Sequence, residues 1–261
     1  MKLKKLLSFL TIASVVFVWG ISLSFGQDIE DRGDFNLIIQ SPDNPDFQEI
    51  ADFIEEGGRF RELIDHLNEN FALPSDITII FTEGDGPYFD PENLEIIMNY
   101  DFLSMLVSLL IENDYAETDE ELEVALLDIT EFIFYHEVGH ALIHILDIPV
   151  VGKEEDAVDS LSALIITIAL EEPDILITAA DFWWMMSEQN DEFDDADFWD
   201  EHSLDIQRFY SIICWVYGSD PDKYADLIRE EGFDEDRADR CIDEFQKLND
   251  SWMTLLSPYL K

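Results

Sequence analysis

"YHEVGHALIHILDIPVVGKEEDAVD", Tyr135 to Asp159, decides how this chain is read. It sets His136, His140 and His144 at steps of four, stops at "DIP", turns through "VVG" and restarts in the acidic segment Glu154–Asp159. On a helix, residues four apart lie about one turn apart on one face, so His136 and His140 can reach a single tetrahedral metal ion. The pair sits in an HExxH motif, and Glu137, next to the first histidine, is placed to deprotonate a water activated by zinc. His144 is too far along the same helix: eight residues from His136 is about 12 Å of rise, against bonds of about 2 Å.

A third ligand must come from the restart. Glu155 and Asp159 are four apart and share a face, and the short turn makes the two helices antiparallel neighbours. Glu155 is long enough to ligate, while Asp159 can accept the other ring N–H of a ligand histidine and fix its tautomer. The reverse assignment, Asp159 as ligand supported by Glu155, stays open. Glu154 and Asp156 are rotated by about 100° each way and are expected to point elsewhere.

The helix carrying HExxH begins at Thr118, with Glu121 three residues on as its capping-box partner, and runs to Leu146. Leu122, Ala125, Leu126, Ile129, Phe132 and Ile133 recur at helical spacing along it. The second helix is expected over Glu154–Leu170, with later ones over Ile175–Ser187, Leu204–Tyr217, Tyr224–Glu230 and Arg237–Leu255. Earlier, "FNLIIQ" (Phe35–Gln40), "DITIIFTE" (Asp76–Glu83) and "LEIIMNY" (Leu94–Tyr100) read as strands, the last two antiparallel, and the last as an edge that can hold an extended peptide. Between the first two strands, a helix through "FQEIADFIEE" is interrupted at Gly57-Gly58 and resumes in "RFRELIDHLNENF". The expected fold is α+β, predominantly helical, with a small antiparallel sheet, an active-site helix pair and a C-terminal helical part.

Residues 1–26 have the layout of a secretory signal: Lys2, Lys4 and Lys5, an apolar run, then Ser24 and Gly26. Residues 27–261 are then one domain, exported to the periplasm or outside the cell, with no membrane contact beyond the signal segment. With 14 Lys+Arg against 60 Asp+Glu, the net charge of −46 argues against nucleic acid and anionic lipid as partners. The run "DEFDDADFWDE" (Asp191–Glu201) lacks the central glycine of a calcium loop. Cys214 and Cys241, alone in an exported chain, are expected to form a disulfide whose 27-residue span is worth about 3.5 kcal/mol; a reduced buried pair is the alternative.

HEVGH followed by "GKEEDAVD" resembles the Glu-ligand zincin metallopeptidases, in which HExxH is completed by Glu-x-x-x-Asp on the next helix. More closely, the chain is similar to a family of exported bacterial proteins described as metallopeptidases. That likeness extends through "PYFDPENLEIIMNYDF", "DEHSLDIQRFYSIICWVYGSDP" and "DRADRCIDEF". The resemblance implies a zincin-like fold, His136, His140 and Glu155 as zinc ligands, Glu137 as base, and a peptide or protein substrate. It departs at Asn99, where the family often has a cysteine, so a second disulfide is not expected.

Peptide hydrolysis also needs a donor for the developing oxyanion. His202 is the candidate, with Arg208 and Tyr210 nearby in sequence. Phe182, Trp183, Trp184, Met185 and Met186 read as core packing rather than a specificity pocket. The competing reading of the whole chain is a non-catalytic, acidic, exported binding protein with a structural metal or none.

Overall fold

A computed structural model describes residues 30–189 and 195–261. The expected signal segment lies outside them, as does the start of the acidic run at 191–194.

The sheet forms first along the chain. Strand β1 (Phe35–Ile39) is followed by a short turn in which Asn44 accepts the Asp46 N–H and Pro45 presets the backbone. That turn feeds α1 (Gln48–Gly57), and Gly58, at φ 70°, separates it from α2 (Arg59–Asn70). Ala51, Ile54, Phe60, Leu63, Ile64 and Leu67 form the buried faces of these two helices.

Strands β2 (Ile77–Thr82), β3 (Tyr88–Asp90) and β4 (Glu95–Asn99) complete a sheet of order β1-β2-β4-β3. This corrects the sequence reading in two ways. β2 and β4 are parallel, not antiparallel, and the edge beside β4 is a further strand, β3. The stretch taken as turn-rich, "GDGPYFDPEN", carries the chain past β4's place, turns at Asp90–Leu94, and lets β4 insert between β2 and β3. Asp90 closes that turn by accepting N–H groups of Glu92 and Asn93. β4 takes the central place because Ile96, Met98 and Asn99 are all buried there, whereas Tyr88 is exposed. Asn99 donates its amide to the Gly84 carbonyl and pins the loop into β3.

The rest is helical, so the predominantly helical α+β class is borne out. After α3 (Tyr100–Glu112) comes the 27-residue α4 (Asp119–Ile145), opened by the Thr118–Glu121 capping box. From Ile129 to Gly139 every residue of α4 is buried, so this helix is surrounded by other elements on all sides. α5 (Glu154–Leu164) continues into a π-helical turn (Ile165–Ala169). Then follow α6 (Ile175–Glu188), α7 (Asp195–Trp199), α8 (Asp205–Ser219), α9 (Ala225–Glu230) and α10 (Glu235–Leu256).

Two contacts hold the frame around the site. Cys214 of α8 and Cys241 of α10 form the expected disulfide, with Cα atoms 5.0 Å apart. Beside it, Gly218 lies so close to the Cys241 carbonyl that no side chain fits. Among the described residues, no helix is long and apolar enough to cross a membrane.

Candidate metal centre

Antiparallel packing of α4 on α5 builds the site. A Cβ added at Gly139 would lie 2.9 Å from Val158 Cβ, so the absent side chain allows the two backbones to close. Ser162 Oγ donates to the Phe132 carbonyl at 2.8 Å and fixes the register one turn away. In that register, Glu155 and Asp159 come opposite His140 and His136.

Three imidazoles then converge on one oxygen. Glu155 Oε2 lies 3.1 Å from His136 Nε2, 3.4 Å from His140 Nε2 and 3.0 Å from His202 Nε2. Donor atoms of His136, Glu155 and His202 all fall within 4.8 Å of one another. None of the three nitrogens meets Oε2 in hydrogen-bonding geometry, so this buried oxygen has ion-pair neighbours but no aligned donor.

The opposite ring nitrogens explain why. His136 Nδ1 donates to Asp159 Oδ1 at 2.7 Å, His140 Nδ1 to Glu154 Oε1 at 2.8 Å, and His202 Nδ1 to Asp200 Oδ1 at 3.0 Å. A neutral imidazole that donates from Nδ1 presents a bare lone pair at Nε2. Three lone pairs and a carboxylate oxygen aimed at one another repel unless a cation lies among them. Without a metal, protons take the cation's place. Burial opposes charging of His136 and His140, but the carboxylates of Asp159 and Glu155, and of Glu155 and Glu154, override it; His140 is pushed up to about 9. Glu155, also opposed by burial, is held far below the carboxylate range by the three histidines.

Asp159 is anchored from behind. Arg208 of α8 grips it through Nε to Oδ2 at 2.7 Å and Nη2 to Oδ1 at 2.6 Å, both residues being buried. Burial alone raises the Asp159 pKa, but the Arg208 charge and the His136 bond outweigh it, and the carboxylate stays ionised. The guanidinium in turn lies 3.4 Å over the Trp183 ring. Of the two carboxylates left open by the sequence, Glu155 therefore faces the Nε2 atoms, while Asp159 sits on the far nitrogen of His136.

Glu137 is buried at 6% exposure and lines the same cleft, which encloses about 400 Å³. Burial raises its pKa, against the pull of His136 and His140. The cleft is walled on one side by Tyr88, Phe89 and Pro91 of the β3 hairpin and on the other by Glu201 and His202.

Other expectations sort as follows. His144 is exposed on the rim, its ring 5.7 Å from Phe89, and is outside the cluster. Tyr210 packs on Phe209 and Phe233, away from the site. Phe182, Trp183 and Met185 are core, while Trp184 is 43% exposed. Glu154 is a correction: it does not point elsewhere but holds His140. As the first residue of α5 its long side chain is unconstrained by a preceding turn, and so spans the 100° offset. Sequence reasoning named Arg208 only as a neighbour of His202; a lone arginine gives no signal of its partner 49 positions away.

A family model described as "Putative metallopeptidase" matches residues 39–256. No curated protein and no solved structure matches the chain. The family and the His/Glu/His cluster together support a metal-dependent hydrolase.

Proposed function

Starting from the fact that this chain belongs to the family described as "Putative metallopeptidase", we propose that it is a zinc-dependent peptidase acting outside the cytoplasm. The observation that carries the proposal is the convergence of Nε2 lone pairs on the donorless Glu155 Oε2. Imidazole nitrogens with a carboxylate oxygen are the donor set that suits zinc. His136, His140 and Glu155 would hold the ion. When bound, zinc supplies a Lewis acid that activates water at neutral pH and polarises the scissile carbonyl.

The protein's own groups do the rest. The Glu137 carboxylate takes a proton from the attacking water, whose oxygen joins the carbonyl carbon, and gives that proton to the departing amine nitrogen. Asp159, kept ionised by Arg208, fixes His136 with its proton on Nδ1, and Glu154 does the same for His140. With substrate bound, His202 takes a second proton on Nε2, as its raised pKa allows, and donates from there to the developing oxyanion while Nδ1 stays on Asp200. The β3 edge beside the cleft offers backbone groups to an extended peptide, with Tyr88 and Phe89 against its side chains. The Cys214–Cys241 disulfide and the lack of a membrane-spanning helix among the described residues are compatible with export.

Glu137 weighs against a non-catalytic binding protein, because a buried carboxylate beside a merely structural site costs stability without return. Metal analysis of the purified protein, with peptide-library cleavage by wild type and Glu137→Gln, tests the proposal. Zinc at one per chain with Glu137-dependent cleavage supports it; no metal, or equal cleavage by the variant, rejects it.

A further inference from the structure

We infer that His202 is a fourth, displaceable ligand of this metal, closing the coordination set at rest and leaving it when substrate enters. This inference rests on the metal site proposed above.

His202 is prepared in the same way as the HExxH histidines. Its Nδ1 is committed to a carboxylate, Asp200, and its Nε2 faces Glu155 Oε2 at 3.0 Å, nearer than either His136 or His140. Its ring lies nearly parallel to that of His136, at 15° and 6.5 Å between centroids. A histidine acting only as a hydrogen-bond donor to substrate has no need to turn a nitrogen toward the ligand oxygen. Three imidazoles and one carboxylate make a complete tetrahedral set, whereas a working hydrolase needs one position open to water or substrate. One of the four must therefore be able to leave.

Structure identifies which. His136 and His140 are fixed on α4, with 6% and 15% of their side chains exposed, and Glu155 on α5 has 14%. His202 is 44% exposed and belongs to the connection between α7 and α8, not to a helix. Lys153, just before α5, straps that connection: its Nζ donates to the carbonyls of Asp200 at 3.1 Å and His202 at 2.7 Å. In a chain with so few cations, the bonds of this lysine among the described residues are to backbone carbonyls rather than to carboxylates. Breaking these two bonds loosens the connection that carries His202, while His136 and His140 keep their bonds to Asp159 and Glu154.

Zinc affinity by chelator competition, and the visible spectrum of the cobalt-substituted protein, test this on wild type, His202→Ala and Lys153→Ala. The inference predicts that His202→Ala weakens zinc binding by roughly tenfold or more and changes the intensity of the cobalt bands. Lys153→Ala, which leaves the imidazole in place, should weaken binding in the same direction by less. Wild type that binds zinc, with both variants matching it in affinity and cobalt spectrum, overturns the ligand assignment and leaves the peptidase proposal intact. Wild type that binds no metal overturns both.

Discussion

Gly139 and Val158 touch across the α4–α5 interface so closely that a methyl group at Gly139 would lie 2.9 Å from two Val158 carbons. The ligand geometry depends on this contact, since His136 and His140 flank Gly139, and Glu155 and Asp159 flank Val158. Gly139→Ala should force the helices apart. The expected cost is about 1–3 kcal/mol in urea unfolding, with zinc affinity falling in the same variant. Gly57→Ala, at a position with open space around it, is the control that should leave zinc affinity unchanged.

Arg208 and Asp159 form a buried pair, so removing Arg208 leaves Asp159 buried and ionised with only the His136 bond to hold it. Arg208→Met should destabilise the fold by about 3–5 kcal/mol. Lysine should not rescue it, because it lacks the planar fork that holds both carboxylate oxygens. Asp159→Asn keeps the shape but weakens the hold on His136, and zinc affinity should drop by roughly 10–100-fold. Unfolding curves and chelator competition on the three variants check this.

Much of this arrangement was legible from the chain. The four-residue spacing of His136 and His140 and the Thr118 cap locate the helix, and the turn at Asp147–Gly152 places Glu155 and Asp159 opposite. The readings that failed depend on long-range partners. The parallel pairing of β2 and β4 follows from a three-residue edge strand, Tyr88–Asp90, too short to show alternation. Glu154 was misjudged because helical rotation angles describe Cβ directions, and a glutamate at a helix start reaches beyond its own.

The disulfide ties α8, which carries Arg208, to α10. Replacing Cys214 and Cys241 together by alanine should cost about 3.5 kcal/mol by the loss of a 27-residue loop constraint. Comparison of unfolding midpoints with intact and replaced cysteines measures it.

Asp181 accepts the Tyr115 hydroxyl at 2.8 Å, and burial, more than any neighbour, raises its pKa. A raised carboxyl pKa in the folded state means that stability falls as pH climbs from its unfolded value through its folded one. Asp181→Asn keeps an acceptor for Tyr115 and removes that loss. The variant should melt higher than wild type at neutral pH, and the difference should vanish near pH 3, where wild-type Asp181 is also neutral. An unchanged difference across that range would rule out Asp181 as the titrating group.

The central proposal is that Glu137 acts as the base at a site where His136, His140 and Glu155 would hold zinc. Its most direct test is peptide hydrolysis by wild type and Glu137→Gln at equal, measured zinc content. The account predicts one zinc per chain in both proteins and cleavage reduced by at least about a hundredfold in the variant. Cleavage at wild-type rate by the zinc-loaded variant would contradict it.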